Sequence, residues 1–394
     1  MPFFHGRDPA YEKEDAMKLL HLSDLHLGKR VGEVSLLEDQ RDMLQKLLQV
    51  ARAFQVDALL LAGDLYDKPI PPAQAVRLLD EFLTELSRLG IPVLAISGNH
   101  DSPERLDFAT RLLDREGIHL AARYQGPRPP VRLEDEYGPV NFYLLPYLKP
   151  VLVRHEYPEE EFLTYAQAVA WALDQWQVDP AGRNVLLAHQ FVTGGLTCES
   201  EELSVGGLDQ IPGELFAPFD YVALGHLHGP QWVGRETVRY CGSPLKYSFS
   251  ESRQEKSATL VTLGQKGDVM VDLISLTPLR DMREVRGSYE EVTARSFYQG
   301  GGQEDYLHVI LTDEEEIPGA AGKLRVIYPN LLKLSYDNLR TQSTEEVTGA
   351  LRPEERSPLD LFREFYQLQN NQPMGQAQEE FLKHLMEEIW EGEP

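Results

Sequence analysis

Cysteine is scarce in this chain. The two present, Cys198 and Cys241, lie in different segments. They form neither a zinc-binding spacing nor a disulfide framework, and such usage leads us to expect a reducing, cytoplasmic setting. Long apolar runs are also missing. None approaches the roughly 18–20 residues of a membrane span, so no membrane partner is expected. The first 16 residues lack the apolar core of a signal peptide. Met17 opens the first apolar run, so residues 1–16 are expected to be an upstream start or a disordered extension. Positive charge is short too. Against 63 Asp and Glu stand only 38 Lys and Arg, a formal net charge of −25. Acidity on this scale argues against strong, independent, non-specific binding of nucleic acid.

What the chain does have is five short segments rich in metal-ligand side chains. In order they are Asp24-Leu25-His26, Gly63-Asp64, Gly98-Asn99-His100-Asp101, His189 and Gly225-His226-Leu227-His228. Each follows an apolar run: Leu19–Leu22, Ala58–Leu61, Val93–Ile96, Val185–Ala188 and Tyr221–Leu224. Short continuous runs of this kind fit strands covered on both faces. Helical periodicity separates several of them. Over residues 40–54, Leu44, Leu47, Leu48 and Ala51 share a face, and over 73–89 Val76, Leu79, Leu83 and Leu86 do. The alternation predicts an α/β domain. Ligands of such sheets bind beyond the carboxyl ends of the strands, which is where all five segments fall.

Asp, His and Asn together suit borderline divalent ions such as Mn²⁺, Fe²⁺ or Zn²⁺, and the absence of Cys argues against a structural zinc site. Seven candidate ligands, Asp24, His26, Asp64, Asn99, His189, His226 and His228, exceed the needs of one ion. They suit two ions that share a bridging carboxylate, for which Asp64 is the natural choice. Two ions about 3.5–4 Å apart can activate water for in-line attack on phosphorus. Taken singly, each segment has an ordinary explanation. Gly63-Asp64 is a common turn, Asn99 tolerates a left-handed conformation, and a lone His189 is a routine core residue. Five in order at strand ends point to a metal centre. Asp67 and Asp101 read equally as turn residues or as hydrogen-bond partners behind the ligands. His21, His119, His155, His308 and His384 have no motif around them and read as structural or exposed.

D-x-H, G-D, G-N-H-D, a lone His after a strand, and G-H-x-H together resemble the signature of calcineurin-like metallophosphoesterases. A closer resemblance, from Met17 to about Asn338, is to the SbcD nuclease subunits of SbcCD exonucleases. It rests on MKLLHLSDLHLGKR (17–30), AGDLYDKPIPP (62–72), PVLAISGNHDSPERL (92–106), HQFVTGG (189–195), LSVGGLDQI (203–211), YVALGHLHGPQ (221–231) and YCGSPLKYSFSE (240–251). The resemblance implies one ion on Asp24, His26, Asp64 and His228, and a second on Asp64, Asn99, His189 and His226. It implies that His100 touches the phosphate and gives a proton to the leaving oxygen, a role open to a histidine beside a metal-bound phosphate. It implies two Mn²⁺ ions, DNA as substrate, and 3′-to-5′ exonuclease action on duplex ends with endonuclease action on single strands or hairpins. It also implies an SMC-like ATPase partner, SbcC, and a homodimer within a heterotetramer. The chain departs from the pattern at Glu199-Ser200-Glu201-Glu202, where many relatives carry a basic residue in a loop one residue longer.

Lys29, Arg30, Lys68 and Arg105 lie near the metal motifs and read either as local phosphate contacts or as solvated charges. Strands at Thr237–Cys241 and Ala258–Leu263 suggest a second sheet that closes a two-sheet sandwich over residues 17–277. From 278 to 338 the pattern changes to a small α/β unit: strand Met282–Val285, helix Ser288–Ala294, strand Tyr306–Leu311, helix Ala320–Val326 and strand Leu331–Leu334. In the family this place holds a capping domain. Residues 339–357 are polar and read as a linker. Two amphipathic helices are expected in 358–394, one with Leu359, Phe362, Phe365 and Tyr366 on its stripe, the other with Phe381, Leu382, Leu385, Met386, Ile389 and Trp390. Such stripes after a linker suit docking on a partner helix, or folding back on their own domain. Three readings stay open: a DNA nuclease subunit, a metallophosphoesterase for nucleotides or other small phosphodiesters, and a scaffold that keeps the fold without catalysis. The cap-like unit and the tail favour the first. The complete ligand set argues against the third.

Overall fold

The computed structural model describes residues 16–201, 209–338, 358–370 and 372–391. The expected extension up to residue 15 and the linker 339–357 lie outside the described residues. The chain divides into two compact units, one ending at Met282 and one beginning at Arg283.

Twelve strands of the first unit build two six-stranded sheets. They are β1 (Met17–Leu22), β2 (Ala58–Ala62), β3 (Val93–Ile96), β4 (Ile118–Ala121), β5 (Val131–Asp135), β6 (Gly138–Leu145), β7 (Arg183–His189), β8 (Tyr221–Gly225), β9 (Gln231–Val233), β10 (Arg235–Tyr240), β11 (Ser257–Leu263) and β12 (Val269–Ser275). The first sheet has the order β12-β11-β1-β2-β3-β4 and the second β9-β10-β8-β7-β6-β5. Parallel pairing joins β1 to β4 in the first and β6, β7, β8 and β10 in the second. Antiparallel strands finish the edges. The fold is thus a two-sheet α/β sandwich flanked by helices.

The apolar runs are continuous because their strands are covered twice. Leu19, Ala58, Leu60, Leu94 and Ile96 from the first sheet meet Phe142, Val185, Leu187, Tyr221 and Ala223 from the second in one buried cluster. Alternate residues face away. On the second sheet Leu186, Ala188, Val222 and Leu224 pack with Val169, Ala172 and Leu173 of the helix Tyr165–Asp174. That helix opens with a capping box in which Thr164 and Gln167 satisfy each other's backbone N–H groups. On the first sheet Leu61 and Ala95 line a groove with Leu79 and Leu83 of the helix Ala73–Arg88.

Two expectations are corrected. Ala258–Leu263 does not belong to the second sheet, because β11 pairs antiparallel with β1 in the first. The second sheet is instead built around β7 and β8, two of the motif strands themselves. The helix Ala73–Arg88 presents a rotated stripe: Ala75, Leu78, Leu79, Phe82 and Leu86 are buried, while Val76 is 44% exposed. Phe82 fills the position that an aliphatic-only stripe overlooks.

The second unit carries β13 (Met282–Gly287), β14 (Tyr306–Leu311) and β15 (Leu331–Tyr336) in that spatial order, β14 and β15 being parallel. Val285, Val292, Leu307, Val309, Leu311, Leu324 and Leu331 form its core. Its helices Tyr289–Thr293 and Ala320–Arg325 fall inside the segments read as helical. A capping box of Ser288 and Glu291 starts the first of them. Helices Pro358–Asn370 and Gln376–Glu391 follow, linked by an Arg363–Glu379 ion pair. Among the described residues no helix is long and apolar enough to cross a membrane.

Candidate metal centre

Five chain segments leave the carboxyl ends of five strands and meet at one place. β1, β2 and β3 of the first sheet deliver Asp24 with His26, Asp64, and Asn99 with His100. β7 and β8 of the second deliver His189, and His226 with His228. The loops are tied to one another by backbone bonds. The Asp24 N–H donates to the Gly63 carbonyl and the His26 N–H to that of Asp64, each at 3.0 Å. The His226 N–H reaches the Asp24 carboxylate at 3.2 Å. Glycine is required at the tightest points: a Cβ on Gly98 would overlap the Asp64 carboxylate, and one on Gly225 the Ala62 carbonyl. Asp24, His26, Asp64 and His226 all have positive φ, at 52°, 41°, 50° and 107°. Non-glycine residues are held this way only where the surroundings over-determine them, and such positions concentrate at functional sites.

The side chains are close and buried. Asp64 is central: its Oδ2 lies 3.6 Å from His26 Nε2 and 3.4 Å from His189 Nε2, while its Oδ1 accepts the His100 backbone N–H at 2.8 Å. His26 Nε2 and His228 Nε2 are 3.1 Å apart, and Asp24 Oδ1 is 4.0 Å from His26 Nε2. On the other side, Asn99 Oδ1 lies 3.0 Å from both His189 Nε2 and His226 Nδ1. Ligand atoms of Asp24, His26 and His228 fall within 4.8 Å of one another, as do those of Asp24, Asp64 and His189. Asp24 is common to these two triplets, a third joins His26, Asp67 and His100, and Asp64 Oδ2 lies near a histidine from each sheet.

Burial and close charges shift several of these groups strongly. Burial pushes the Asp24 carboxyl above the usual carboxylate range. Burial acts on Asp64 in the same sense and is the largest single influence, but the adjoining His189, His26 and His100 together outweigh it and hold that carboxyl well below the range. His26 and His226 are driven toward the neutral form, chiefly by burial, His226 to about 3. Against its own burial, the neighbouring Asp64 and Asp24 carboxylates raise His189 to about 9, so without an added cation a single imidazolium is left to balance the buried carboxyls. The donor set of carboxylate oxygen, amide oxygen and neutral imidazole nitrogen fits divalent cations. His189 adds a second sign: its Nδ1 sits 2.8 Å from the Ala62 carbonyl, an orientation that turns the Nε2 lone pair inward.

His100 stands beside this cluster. Its Nδ1 lies 3.0 Å from the Asp67 carbonyl and its Nε2 4.0 Å from Asp64 Oδ2. Asp101 is a turn-holding residue. Its carboxylate accepts the N–H groups of Leu65 at 3.1 Å, Tyr66 at 2.9 Å and Gly98 at 2.9 Å, and so fastens the β2 and β3 loops together. Of the four cations near the motifs, Lys29 is paired with Asp67 at 2.8 Å, and Arg30 bonds the Glu33 carbonyl. Lys68 and Arg105 are exposed, and Arg105 lines the groove along the helix Ala73–Arg88. Among the histidines without a motif, His21 is buried against the Tyr221 hydroxyl at 2.9 Å, His119 pairs with Asp114, and His308 pairs with Glu284.

Several contributors escaped the sequence reading. Tyr147 stacks on His226 at 6.4 Å between ring centroids, and Lys149 Nζ lies 5.6 Å from the Tyr147 ring. Tyr247 sets its ring edge-on to His26 and His228, at 5.4 and 5.7 Å. Glu251 and Lys256 are buried and paired at 2.5 Å, and Ser200 Oγ lies 2.8 Å from His228 Nδ1. Tyr247 and Glu251 fall in the stretch YCGSPLKYSFSE, so the segment was visible, but one sequence does not tell which of its polar residues turn inward.

The comparisons with known proteins place the chain in a family. The calcineurin-like phosphoesterase family matches residues 17–230, across all five motifs. A family described as the type 5 capsule protein repressor C-terminal domain, abbreviated SbcD_C, matches residues 278–370. The D subunit of nuclease SbcCD from Staphylococcus epidermidis is 32% identical over 384 residues, covering 96% of this chain and 100% of that protein. The chain belongs to the SbcD family of calcineurin-like phosphoesterases. Like the family it is a metal-dependent hydrolase of ester bonds. Two solved structures align more distantly. One, from Thermus thermophilus, is 16% identical with a TM-score of 0.39, covering 66% of this chain and 99% of its own. The other, a dimetal phosphatase from Danio rerio, is 12% identical with a TM-score of 0.40, covering 67% and 100%.

Proposed function

We propose that this SbcD-family chain is the nuclease subunit of an SbcCD-type complex and hydrolyses DNA phosphodiesters with two divalent ions, most simply Mn²⁺. The observation that carries the reading is the match to an SbcCD nuclease subunit along that protein's whole length, cap-like region included. Asp24, His26, Asp64 and His228 would hold one ion, and Asp64, Asn99, His189 and His226 the other. When bound, the ions bring positive charge to the phosphate and lower the barrier to attack by water. The protein's share is orientation and proton transfer. Asp64 turns Oδ2 toward both histidine groups because Oδ1 is occupied by the His100 N–H. His100, fixed through Nδ1 on the Asp67 carbonyl, turns Nε2 toward the centre, where it donates a proton to the leaving oxygen.

The finer assignments follow the same reading. Action is 3′-to-5′ on duplex ends and endonucleolytic on single strands and hairpins. Residues 17–277 form the nuclease domain, 278–338 a cap over DNA access, 339–357 a linker and 358–394 the docking region for the SMC-like ATPase SbcC. A net charge of −25 is consistent with a partner that supplies most of the grip on DNA, with Lys29, Arg30, Lys68 and Arg105 as local phosphate contacts. Val76, Phe108 and Leu112, respectively 44%, 82% and 64% exposed, support a second copy of the chain packing on the helix Ala73–Arg88, hence a homodimer within a heterotetramer. Two free cysteines are consistent with the cytoplasm.

The test is digestion of end-labelled duplex and hairpin DNA beside hydrolysis of a chromogenic phosphodiester, with and without Mn²⁺ and the ATPase. Metal-dependent cleavage of DNA supports the reading. Turnover of the small ester with intact DNA in every arm would replace it with a small-molecule phosphodiesterase.

A further inference from the structure

The acidic turn Glu199–Glu202 is the feature that the functional reading leaves unused, and its described part folds against His228. Ser200 Oγ lies 2.8 Å from His228 Nδ1 and donates to Glu251 Oε1 at 2.6 Å. Glu201 Oε1 accepts the His228 backbone N–H at 2.6 Å, and its Oε2 accepts the Cys198 N–H at 2.8 Å. Behind them Glu251 is fully buried. It also accepts the Tyr247 N–H at 3.1 Å and the Lys256 ammonium at 2.5 Å. Lys256, itself buried, donates further to the His228 carbonyl at 2.8 Å and to Ser243 Oγ at 2.9 Å. His228 is therefore held at its ring, its N–H and its carbonyl by one connected polar array.

We infer that Ser200, Glu251 and Lys256 are positioning residues that fix the tautomer and orientation of His228, and thereby the affinity of one of the two metal positions. This rests on the dimetal reading. The chemistry is directional. Ser200 gives its proton to the Glu251 carboxylate, so its oxygen accepts from His228 Nδ1–H. A proton held on Nδ1 leaves the Nε2 pair free, and Nε2 is the atom that faces His26 Nε2 at 3.1 Å. Outer partners of this kind set the basicity and aim of a ligating imidazole. Lys256 supplies the charge that lets Glu251 stay ionised while buried; removing it would strand a carboxylate in the core. The array also excludes a rival. Ligand atoms of Cys198, His228 and Glu251 lie within 4.8 Å of one another, close enough for a third ion. The Lys256 ammonium already occupies the free side of that carboxylate, and burial pushes the Cys198 thiol up to about 12, so the group is closed without a metal.

The experiment is calorimetric titration of Mn²⁺ into the metal-stripped full chain, as wild type, Ser200→Ala, Ser200→Thr and Glu251→Gln. Wild type should take up two ions. Ser200→Ala should keep one near wild-type affinity and bind the other about 10–100-fold more weakly. Ser200→Thr, which retains the hydroxyl, should restore it. Glu251→Gln should weaken the same position. If Glu251→Gln fails to fold, Ser200→Ala decides alone, since it deletes one hydroxyl from a surface turn. Wild-type affinity for both ions in Ser200→Ala overturns the inference, as does an equal loss at both positions. Fewer than two ions in wild type overturns the dimetal reading itself and the inference with it.

Discussion

His189 and Asp64, from opposite sheets, face each other with Nε2 and Oδ2 3.4 Å apart, while the other imidazole nitrogen is tied to the Ala62 carbonyl at 2.8 Å. Ala62 is the last residue of the strand that precedes Asp64. The same strand end thus supplies the carboxylate and orients its partner. This is one way a site assembled from distant segments keeps its geometry without a covalent staple: His189 is aimed by the Ala62 carbonyl and Asp64 by the His100 N–H, each from the backbone of a neighbouring motif.

On the proposed reading Asp64 serves both ions, its Oδ2 lying 3.6 Å from His26 Nε2 and 3.4 Å from His189 Nε2, so its loss should be felt by both. Asp64→Ala is expected to reduce Mn²⁺-dependent DNA cleavage to background and to weaken uptake of both ions. The checks are a nuclease assay and metal analysis after desalting. Full activity at ordinary Mn²⁺ concentration would rule out the centre described above.

Much of this centre is legible in the sequence, and for a physical reason. Ligands at strand ends must follow buried runs, so an apolar run ending in Asp, Asn or His marks both the strand and the site. What is not legible is pairing. Ala258–Leu263 is plainly a strand, yet nothing local says that it lies antiparallel to Met17–Leu22 in the first sheet. Register and neighbours are set by the whole core, not by the strand's own residues. The same holds for Glu251. A glutamate near a lysine ordinarily reads as a solvated pair, and only the fold shows that it is buried behind His228. The helix Ala73–Arg88 is an intermediate case: its period is clear, but Phe82 rather than Val76 decides which way it faces.

His100 separates binding from chemistry. It is fixed by the Asp67 carbonyl, with Nε2 4.0 Å from Asp64 Oδ2. His100→Ala should retain two ions and lose about 100-fold or more in cleavage rate, the usual scale for a positioned proton donor. Single-turnover kinetics with parallel metal titration decides it. One missing ion in the variant would make His100 a ligand instead.

Acid should destabilise the sandwich through His21. Burial between the sheets, opposed in smaller measure by a backbone hydrogen bond, lowers its pKa to about 3 from 6.5. The folded state therefore resists protonation while the unfolded state accepts it. Stability from the neutral ring is complete above about pH 6.5 and declines as pH falls toward 3. His21→Gln can keep a hydrogen bond to Tyr221 but cannot titrate. Denaturant unfolding of metal-free protein at pH 7 and pH 4.5 should show a smaller pH-dependent loss in the variant. An unchanged difference would place the acid sensitivity elsewhere.

The C-terminal helices should matter for assembly and not for folding of the nuclease domain. Phe362, Phe365, Phe381 and Leu385 are 39%, 57%, 69% and 40% exposed, an unusual load of large apolar side chains for two short helices. Covering them in a complex gains burial that the isolated chain lacks. Truncation after Asn338 removes both helices and leaves every metal motif and the last strand of the second unit, Leu331–Tyr336, in place. Such a protein should be soluble and folded and should keep basal Mn²⁺-dependent cleavage of single-stranded DNA, while losing stable association with the ATPase. Phe365→Glu with Leu385→Glu should behave alike, because carboxylates carried into an apolar contact oppose docking but are harmless on an exposed face. Co-purification of each variant with the ATPase, beside a nuclease assay on the subunit alone, separates the outcomes. Normal co-purification of the truncated protein ends the docking role. Aggregation or loss of a cooperative melt on truncation would instead mean that these helices complete a core of the chain itself, since only then does removing them expose surface that folding had buried.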